Sequence, residues 1–357
     1  MTHDQPLPTL PGTIVAIRRH RRLRFLPIAI AAALVVSACT QSGGGATGGV
    51  SGGGAGDYPN RAITIVVPFA AGGPTDTVTR LIAEPMGKGL GQQIVVQNVA
   101  GAGGTLAAGQ VATAAPDGYT VLMHHIGMST APSLYKDLAY KPLEDFATIG
   151  LVTEVPMTII GAKDFEPTTL EELVAFVKEH GEDVTYANAG IGAASHLCGL
   201  LLQNAMDAKV TEVPYDGTGP AMTDLIGGQV DFMCDQTTNT TEQIKAGEVK
   251  AYAVTTPERN KALPDVPTAK EAGLEGLDVT VWHGLYVPTG TPEGVIQRLS
   301  DELKKALKDP TVVEKFGALG TVPVAEDQAT PAAHREKLQS QIELWKPIIE
   351  EAGVSAG

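Results

Sequence analysis

From residue 58 onward, short runs of β-branched residues alternate with stretches whose apolar positions recur at helical spacing, the pattern of an α/β sheet protein. "AITIVVPF" (62–69) reads as a strand, and "TDTVTRLIAEPM" (75–86) as a helix with Val78, Leu81 and Ile82 on one face. "QQIVVQNV" (92–99) is a second strand, broken by "AGAGG" and followed by a small-residue helix from Thr105 to Ala114; "YTVLMHH" (119–125) is a third. "TLEELVAFVKEH" (169–180) is a helix of good formers, capped by Thr168 or Thr169, and "VTYANAG" (184–190) is a strand leading through "IGAAS" into the helix "HLCGLLLQNAM" (196–206). The strand "AYAVTT" (251–256) and two C-terminal helices, "PEGVIQRLSDELKKALKD" and "PAAHREKLQSQIELWKPIIEEAG", complete the pattern.

One arrangement occurs three times: a strand, a glycine-rich corner, then a helix N-terminus. The corners run from Phe69 to Asp76, from Ala100 to Thr105 and from Asn188 to His196. Each can present free backbone N–H groups at the positive end of a helix dipole, with glycine admitting close approach. Such corners suit carboxylates and phosphates, and in open α/β sheets they lie where ligands bind. No lysine or arginine falls inside any of the three, so anion binding there rests on dipoles.

The first 57 residues follow different rules. Arg18, Arg19, Arg21, Arg22 and Arg24 form a basic stretch, and Phe25 to Val36 an apolar one too short to span a bilayer. Ser37 and Ala38 before Cys39 resemble the lipobox of bacterial lipoproteins, with Cys39 as the acylated residue. Residues 1–38 are thus expected to be a lipoprotein signal peptide. An ordinary signal peptide cut nearby, an uncleaved anchor, and a twin-arginine signal at Arg21-Arg22 are the alternatives. Residues 39–57, "CTQSGGGATGGVSGGGAGD", are a glycine-serine tether unable to bury a core.

At 357 residues, 43% hydrophobic and 18% charged, the chain can form two globular units. Without residues 1–38, which hold five basic and one acidic residue, it is more acidic still than the −14 of the whole, and that argues against nucleic acid as a partner. Of three cysteines, Cys39 is assigned; in an exported chain Cys198 and Cys234 suggest a disulfide, two buried thiols being the alternative.

"PFAAGGPTDTVTR" resembles the first loop of the substrate-binding proteins of tripartite tricarboxylate transporters, the Bug-type extracytoplasmic solute receptors, with Pro68, Phe69, Gly72, Gly73, Asp76 and Arg80 on the family pattern. "VVQNVAGAGGTLAA", "AAPDGYTVLM", "YANAGIGAASHL", "VPYDGTGPAMTDLIGGQVDFM" and "VWHGLYVPTGTPEGVI" resemble that family's text in order, and the likeness extends from Tyr58 to the C-terminus. It implies a type II periplasmic-binding-protein fold, two α/β lobes with a ligand cleft between them, the first from residues 58–158 plus 283–357 and the second from 159–282. It also implies a monomeric receptor that takes a small organic acid to the membrane subunits of a transporter, with the lipid anchor expected from the lipobox at Cys39. A membrane sensor partner is the alternative.

By the same resemblance, the ligand is held by Phe69, Ala71, Gly72, Gly73, Thr75 and Asp76, by Gly103 and Gly104, and by the facing corner with Asn188, Gly190, Ser195 and His196. Tyr215, Asp235 and Gln236 fall where the family lines its cleft. Asp76 is read as a helix cap first and a ligand contact second. His196 is open between ligand contact, capping and packing. Of His124 and His125, adjacent on a strand, one is expected inward and one packed or solvated. Trp282 and His283 are expected near the hinge or the closed cleft.

No enzyme signature competes. "GAGGTL" has Leu106 where the dinucleotide fingerprint needs its third glycine, and "GMSTA" has Ala131 where a nucleophile elbow ends in glycine. No HExxH, no paired CxxC and no phosphate loop occurs, so neither metal nor cofactor is expected.

Overall fold

The structure, a computed structural model, describes residues 58–356. The expected signal peptide at 1–38, the acylation site Cys39 and the tether to residue 57 lie outside the described residues. The chain starts with β1 (Ile63–Val67), α1 (Pro74–Leu90), β2 (Ile94–Asn98), α2 (Thr105–Ala112), β3 (Thr120–His125), α3 (Gly127–Leu134) and the long strand β4 (Phe146–Ala162). There follow α4 (Leu170–His180), β5 (Thr185–Asn188), α5 (Ala194–Met206), β6 (Thr211–Pro214), α6 (Thr218–Ile226), β7 (Phe232–Gln236), α7 (Thr237–Ala246) and β8 (Val249–Val254). β9 (Thr280–Pro288), α8 (Glu293–Leu307), α9 (Pro310–Ala318), β10 (Val322–Pro323) and α10 (Pro331–Ala352) close the chain.

Two sheets share one strand. The first has the order β2-β1-β3-β9-β4, with β1 parallel to β2 and β3 and β9 antiparallel to β3 and β4. The second has β6-β5-β7-β4, with β8 also on β4; β5 is parallel to both its neighbours. β4 changes partners half-way: Pro156 is opposite Thr280 of β9, and the next residue, Met157, is opposite Gln236 of β7. Each sheet with its helices is one lobe. In β4, 14 of 17 positions are buried, so it lacks the polar/apolar alternation that marks a one-sided strand. Helix periodicity is legible by contrast. On α1, Val78, Ile82, Met86 and Leu90 are buried at intervals of four, Pro74 opens the helix and Gly91 closes it in the left-handed region.

Both chain ends build the first lobe. Val295, Ile296, Leu299 and Leu303 of α8 share a core with Ile63 and Ile65 of β1 and with the buried face of α1. Leu338, Trp345 and Ile349 of α10 pack in one core with Met128, Ala131 and Leu134 of α3. Thr169 caps α4: its hydroxyl accepts from the Glu172 amide, and the Glu172 carboxylate accepts from the Thr168 amide, a reciprocal box.

Candidate ligand-binding site

The first corner is a closed hydrogen-bonded unit. Gly73 precedes α1, so Asp76 is its third residue, and the carboxylate turns back over the loop. Its Oδ2 accepts from the Gly72 amide (3.0 Å) and Arg80 Nε (2.9 Å), and its Oδ1 from Asn98 Nδ2 (3.1 Å); that amide also donates to the Phe69 carbonyl (2.9 Å). Burial pushes the Asp76 pKa up, but the bonds from Arg80, Gly72 and Asn98 outweigh it and hold the carboxyl below its usual value. Both oxygens are engaged inside the loop, and the bond turned back from the helix goes to the Gly72 amide, one residue before the cap Gly73. Ala71 and Gly72 are exposed on its outer side.

Across from it, Asn188 Oδ1 accepts from the Gly190 amide (2.8 Å) and Ser195 Oγ from the Ala189 amide (2.9 Å). His196 Nδ1 faces the Gly192 amide (3.4 Å) and its Nε2 lies 3.7 Å from Glu212. Burial pushes the His196 pKa down, with Glu212 opposing. These groups shape the loop that launches α5.

The two lobes touch. The Ala70 amide donates to the Asp216 carbonyl (2.9 Å), and the Tyr135 hydroxyl bridges the carbonyls of Ala102 (2.9 Å) and Ile191 (2.7 Å). Glycine makes the approach feasible: a Cβ on Gly103 would stand 1.9 Å from the Ile191 carbonyl oxygen, and one on Gly219 3.0 Å from the Gly73 amide. The cleft is closed.

Inside it lies a cavity of about 250 Å³, counted as all space between atoms. Little of that is free: it has room for about one water molecule, so a larger ligand needs the lobes to part. The first lobe lines it with Phe69, Pro74, Thr75 and His125, and the second with Ala189, Ala193, Ala194, Ser195, Thr218, Asp235 and Gln236. No lysine or arginine is among them. The N-termini of α1, α5, α6 and α7 converge here, Gln236 being the residue that opens α7, each with orphan amides and a positive dipole end. A larger hollow, between α4 and Leu274, is open to solvent and has no such convergence.

His125 stacks on Phe69 (centroids 4.8 Å apart), and its Nδ1 accepts from the Gly127 amide (2.9 Å), so the neutral ring carries its proton on Nε2. Burial pushes its pKa well below the ordinary value, and the rings of His124 and His283 add to this. Burial likewise takes His124 down to about 4 and His283 to about 3. His283 Nε2 lies 3.3 Å from the Thr75 hydroxyl. His125 thus lines the cavity and His124 is packed behind it, buried and outside its lining, one inward and one packed as expected, with the two rings 5.1 Å apart.

Of the residues singled out in the sequence, Phe69, Thr75, Ser195, Asp235 and Gln236 meet at the cavity. Gly73 packs under it against Gly219. Ala71, Gly72, Asp76, Gly104, Asn188 and His196 are not at the cavity; they form the walls that hold it. Gly103, Gly190 and Tyr215 line a separate outer groove, with the Tyr215 hydroxyl on Asp224 (2.8 Å). His125 and Thr218 also line the cavity, beyond the ligand contacts that the sequence suggests. The signal for Thr218 is Gly217 and Gly219 on either side of it, a fourth strand-glycine-helix corner. A disulfide joins Cys198 of α5 to Cys234 of β7, with Cα atoms 6.1 Å apart, tying two cavity-bearing elements together.

Residues 78–354 match the model of the tripartite tricarboxylate transporter family receptor. The chain belongs to this receptor family. A relative from Agrobacterium vitis, a UPF0065 protein in the TAR-I ttuE-ttuC' intergenic region, is 58% identical over 83% of this chain and 86% of its own. Among solved receptors, the periplasmic binding protein BugD is 50% identical over 84% of this chain and 99% of its own, with a TM-score of 0.82. MatC of Rhodopseudomonas palustris, solved with bound malate, is 43% identical over 82% and 100%, with a TM-score of 0.80. Another R. palustris protein, solved with adipate, is 29% identical over 84% and 99%, with a TM-score of 0.79. This receptor is thus a solute-binding protein with a periplasmic-binding-protein fold, and its solved relatives are binding proteins.

Proposed function

We propose that this receptor captures a small dicarboxylate between its lobes, performs no chemistry on it, and presents it to the membrane subunits of a tripartite tricarboxylate-type transporter. The observation that carries the reading is the convergence of four helix N-termini, with the His125 N–H, on one small closed cavity without a cationic side chain. That arrangement stabilises carboxylate charge by oriented dipoles. The malate and adipate held by solved relatives belong to the same chemical class. Contacts made only when the lobes are together supply the differential affinity for the closed state. We further propose that Phe69, Thr75, His125, Ser195 and Thr218 touch the ligand, that the lobe boundaries follow the partner switch of β4, and that the receptor works as a monomer outside the cytoplasm, anchored through Cys39.

A thermal-shift screen of residues 58–357 against organic acids, neutral amino acids, sugars and nucleotides tests this, because a ligand of the folded state raises the melting temperature by mass action. Shifts confined to carboxylates are expected. A shift with sugars or nucleotides alone overturns the reading. Cys39→Ala is expected to abolish incorporation of labelled fatty acid into the full-length protein.

A further inference from the structure

Away from the cavity, α3 reaches across the lobe boundary. Tyr135 ends that helix, and its backbone is fixed from its own lobe: the Tyr135 amide donates to the Ala131 carbonyl (3.0 Å), and the Ala356 amide, from beyond α10, donates to the neighbouring Leu134 carbonyl (2.8 Å). The Tyr135 hydroxyl has one proton and two carbonyls within reach, Ala102 of its own lobe at 2.9 Å and Ile191 of the other at 2.7 Å. The Ala102 carbonyl already accepts from the Thr105 amide and from the Thr105 hydroxyl (2.9 Å), whereas the Ile191 carbonyl accepts from no other donor among the described residues. The proton therefore belongs to the shorter bond, the one that crosses. Earlier on the same helix, Thr130 is fully buried and its hydroxyl lies 3.4 Å from the next carbonyl along, that of Gly192. Neither Tyr135 nor Ile191 lines the cavity.

We propose that Tyr135 is a latch, a positioning residue that touches no solute but holds the closed form by donating across the lobe boundary to Ile191, and so sets how long a bound solute is retained. When the lobes part, the proton has the Ala102 carbonyl to return to and the Ile191 carbonyl meets water, so opening leaves neither group unpaired in the protein interior. The latch is therefore weak and reversible, as a receptor that must also release its solute requires. Its contribution is the same whatever the cavity holds, which separates it from Thr75 or Ser195, whose contacts depend on the shape of the solute.

The test is native-state hydrogen exchange of the purified protein, alone and with malate or adipate. The reporter is the Ala70 amide, which donates to the Asp216 carbonyl across the boundary from a different loop and so is freed when the lobes part. Tyr135→Phe, checked for native melting, is expected to speed exchange there about 2- to 10-fold in the form that the parent protects, the worth of one neutral hydrogen bond, while β5 and β7 exchange as before. The dissociation rates of malate and adipate are expected to rise by that one factor. Tyr140→Phe is the control: it removes, from the same connection, a buried hydroxyl that has no partner, and is expected to change neither readout. Equal exchange at Ala70 in the parent and Tyr135→Phe, with and without acid, overturns the inference. So does an equal rise in Tyr140→Phe, which assigns the effect to packing of the connection, and so do unequal factors for the two acids, which place Tyr135 on the ligand. The exchange readout needs no bound acid, so the inference stands or falls apart from the carboxylate reading.

Discussion

Asp76 and Asp235 are both nearly inaccessible carboxylates at strand-to-helix corners, yet their surroundings set them to opposite tasks. Asp76 is surrounded by donors, so its charge is favoured in the folded state. Its contribution to stability is complete above the usual carboxylate range and is lost as pH falls through its lowered folded value. Asp76→Ala is expected to cost about 2–3 kcal/mol in chemical denaturation at pH 7, the scale of lost charge-assisted bonds in a buried loop. Asp235 goes the other way: burial raises its pKa to about 6, against the bonds from Asn239, Gln236 and Thr218. The titratable groups around it are His125 across the cavity, held neutral, and the Tyr186 phenol, itself pushed up. The folded state therefore binds the Asp235 proton more tightly than the unfolded chain, and this group's contribution to stability falls as pH rises from about 4 to about 6. The stability of Asp235→Asn relative to the parent is expected to rise across that window and level off above it, by denaturant melts from pH 4 to 8. The sequence carries the capping position of Asp76 in its spacing from Gly73, because capping is a local rule. It does not carry whether Asp235 faces a cavity, because that depends on lobes joined by residues far apart in the chain.

At the scale of elements, α1, α4 and the C-terminal helices are legible from periodicity and caps, as Val78, Ile82 and Met86 on α1 illustrate. β4 and β9 are not, because strands buried on both faces carry no alternation to read. α6 begins at Thr218 behind Gly217, whose glycine is needed for the approach of Ala70 from the other lobe, a reason no local pattern reveals. The bond between Cys198 and Cys234 spans 36 residues of sequence. By the loop-entropy relation it stabilises the second lobe by up to about 4 kcal/mol. Cys198→Ser with Cys234→Ser is expected to lower the denaturation midpoint and weaken ligand binding less than it weakens the fold, since neither sulfur lines the cavity. Guanidinium melts and calorimetry on the same preparation check both.

For the whole molecule, closure and binding are one event. Gly103 stands with φ of +59° where the lobes meet, so alanine there is disfavoured by backbone and by the Ile191 carbonyl together. Gly103→Ala is expected to hold the lobes apart, weaken ligand affinity at least about tenfold and abolish the ligand-induced decrease in radius of gyration seen by small-angle scattering. Each lobe should still melt cooperatively. The shared strand has a consequence of another kind, in the order of assembly. A chain emerging from its N-terminus delivers β1 to β3 early, but β9, which must stand between β3 and β4, comes more than 150 residues later, with α8 and α10 behind it. The second sheet, contributed by residues between Met157 and Val254, has all its strands at hand well before that. The lobe in the middle of the chain can therefore consolidate first, while the lobe that starts the chain waits for its end; such long-range pairing is slow to form.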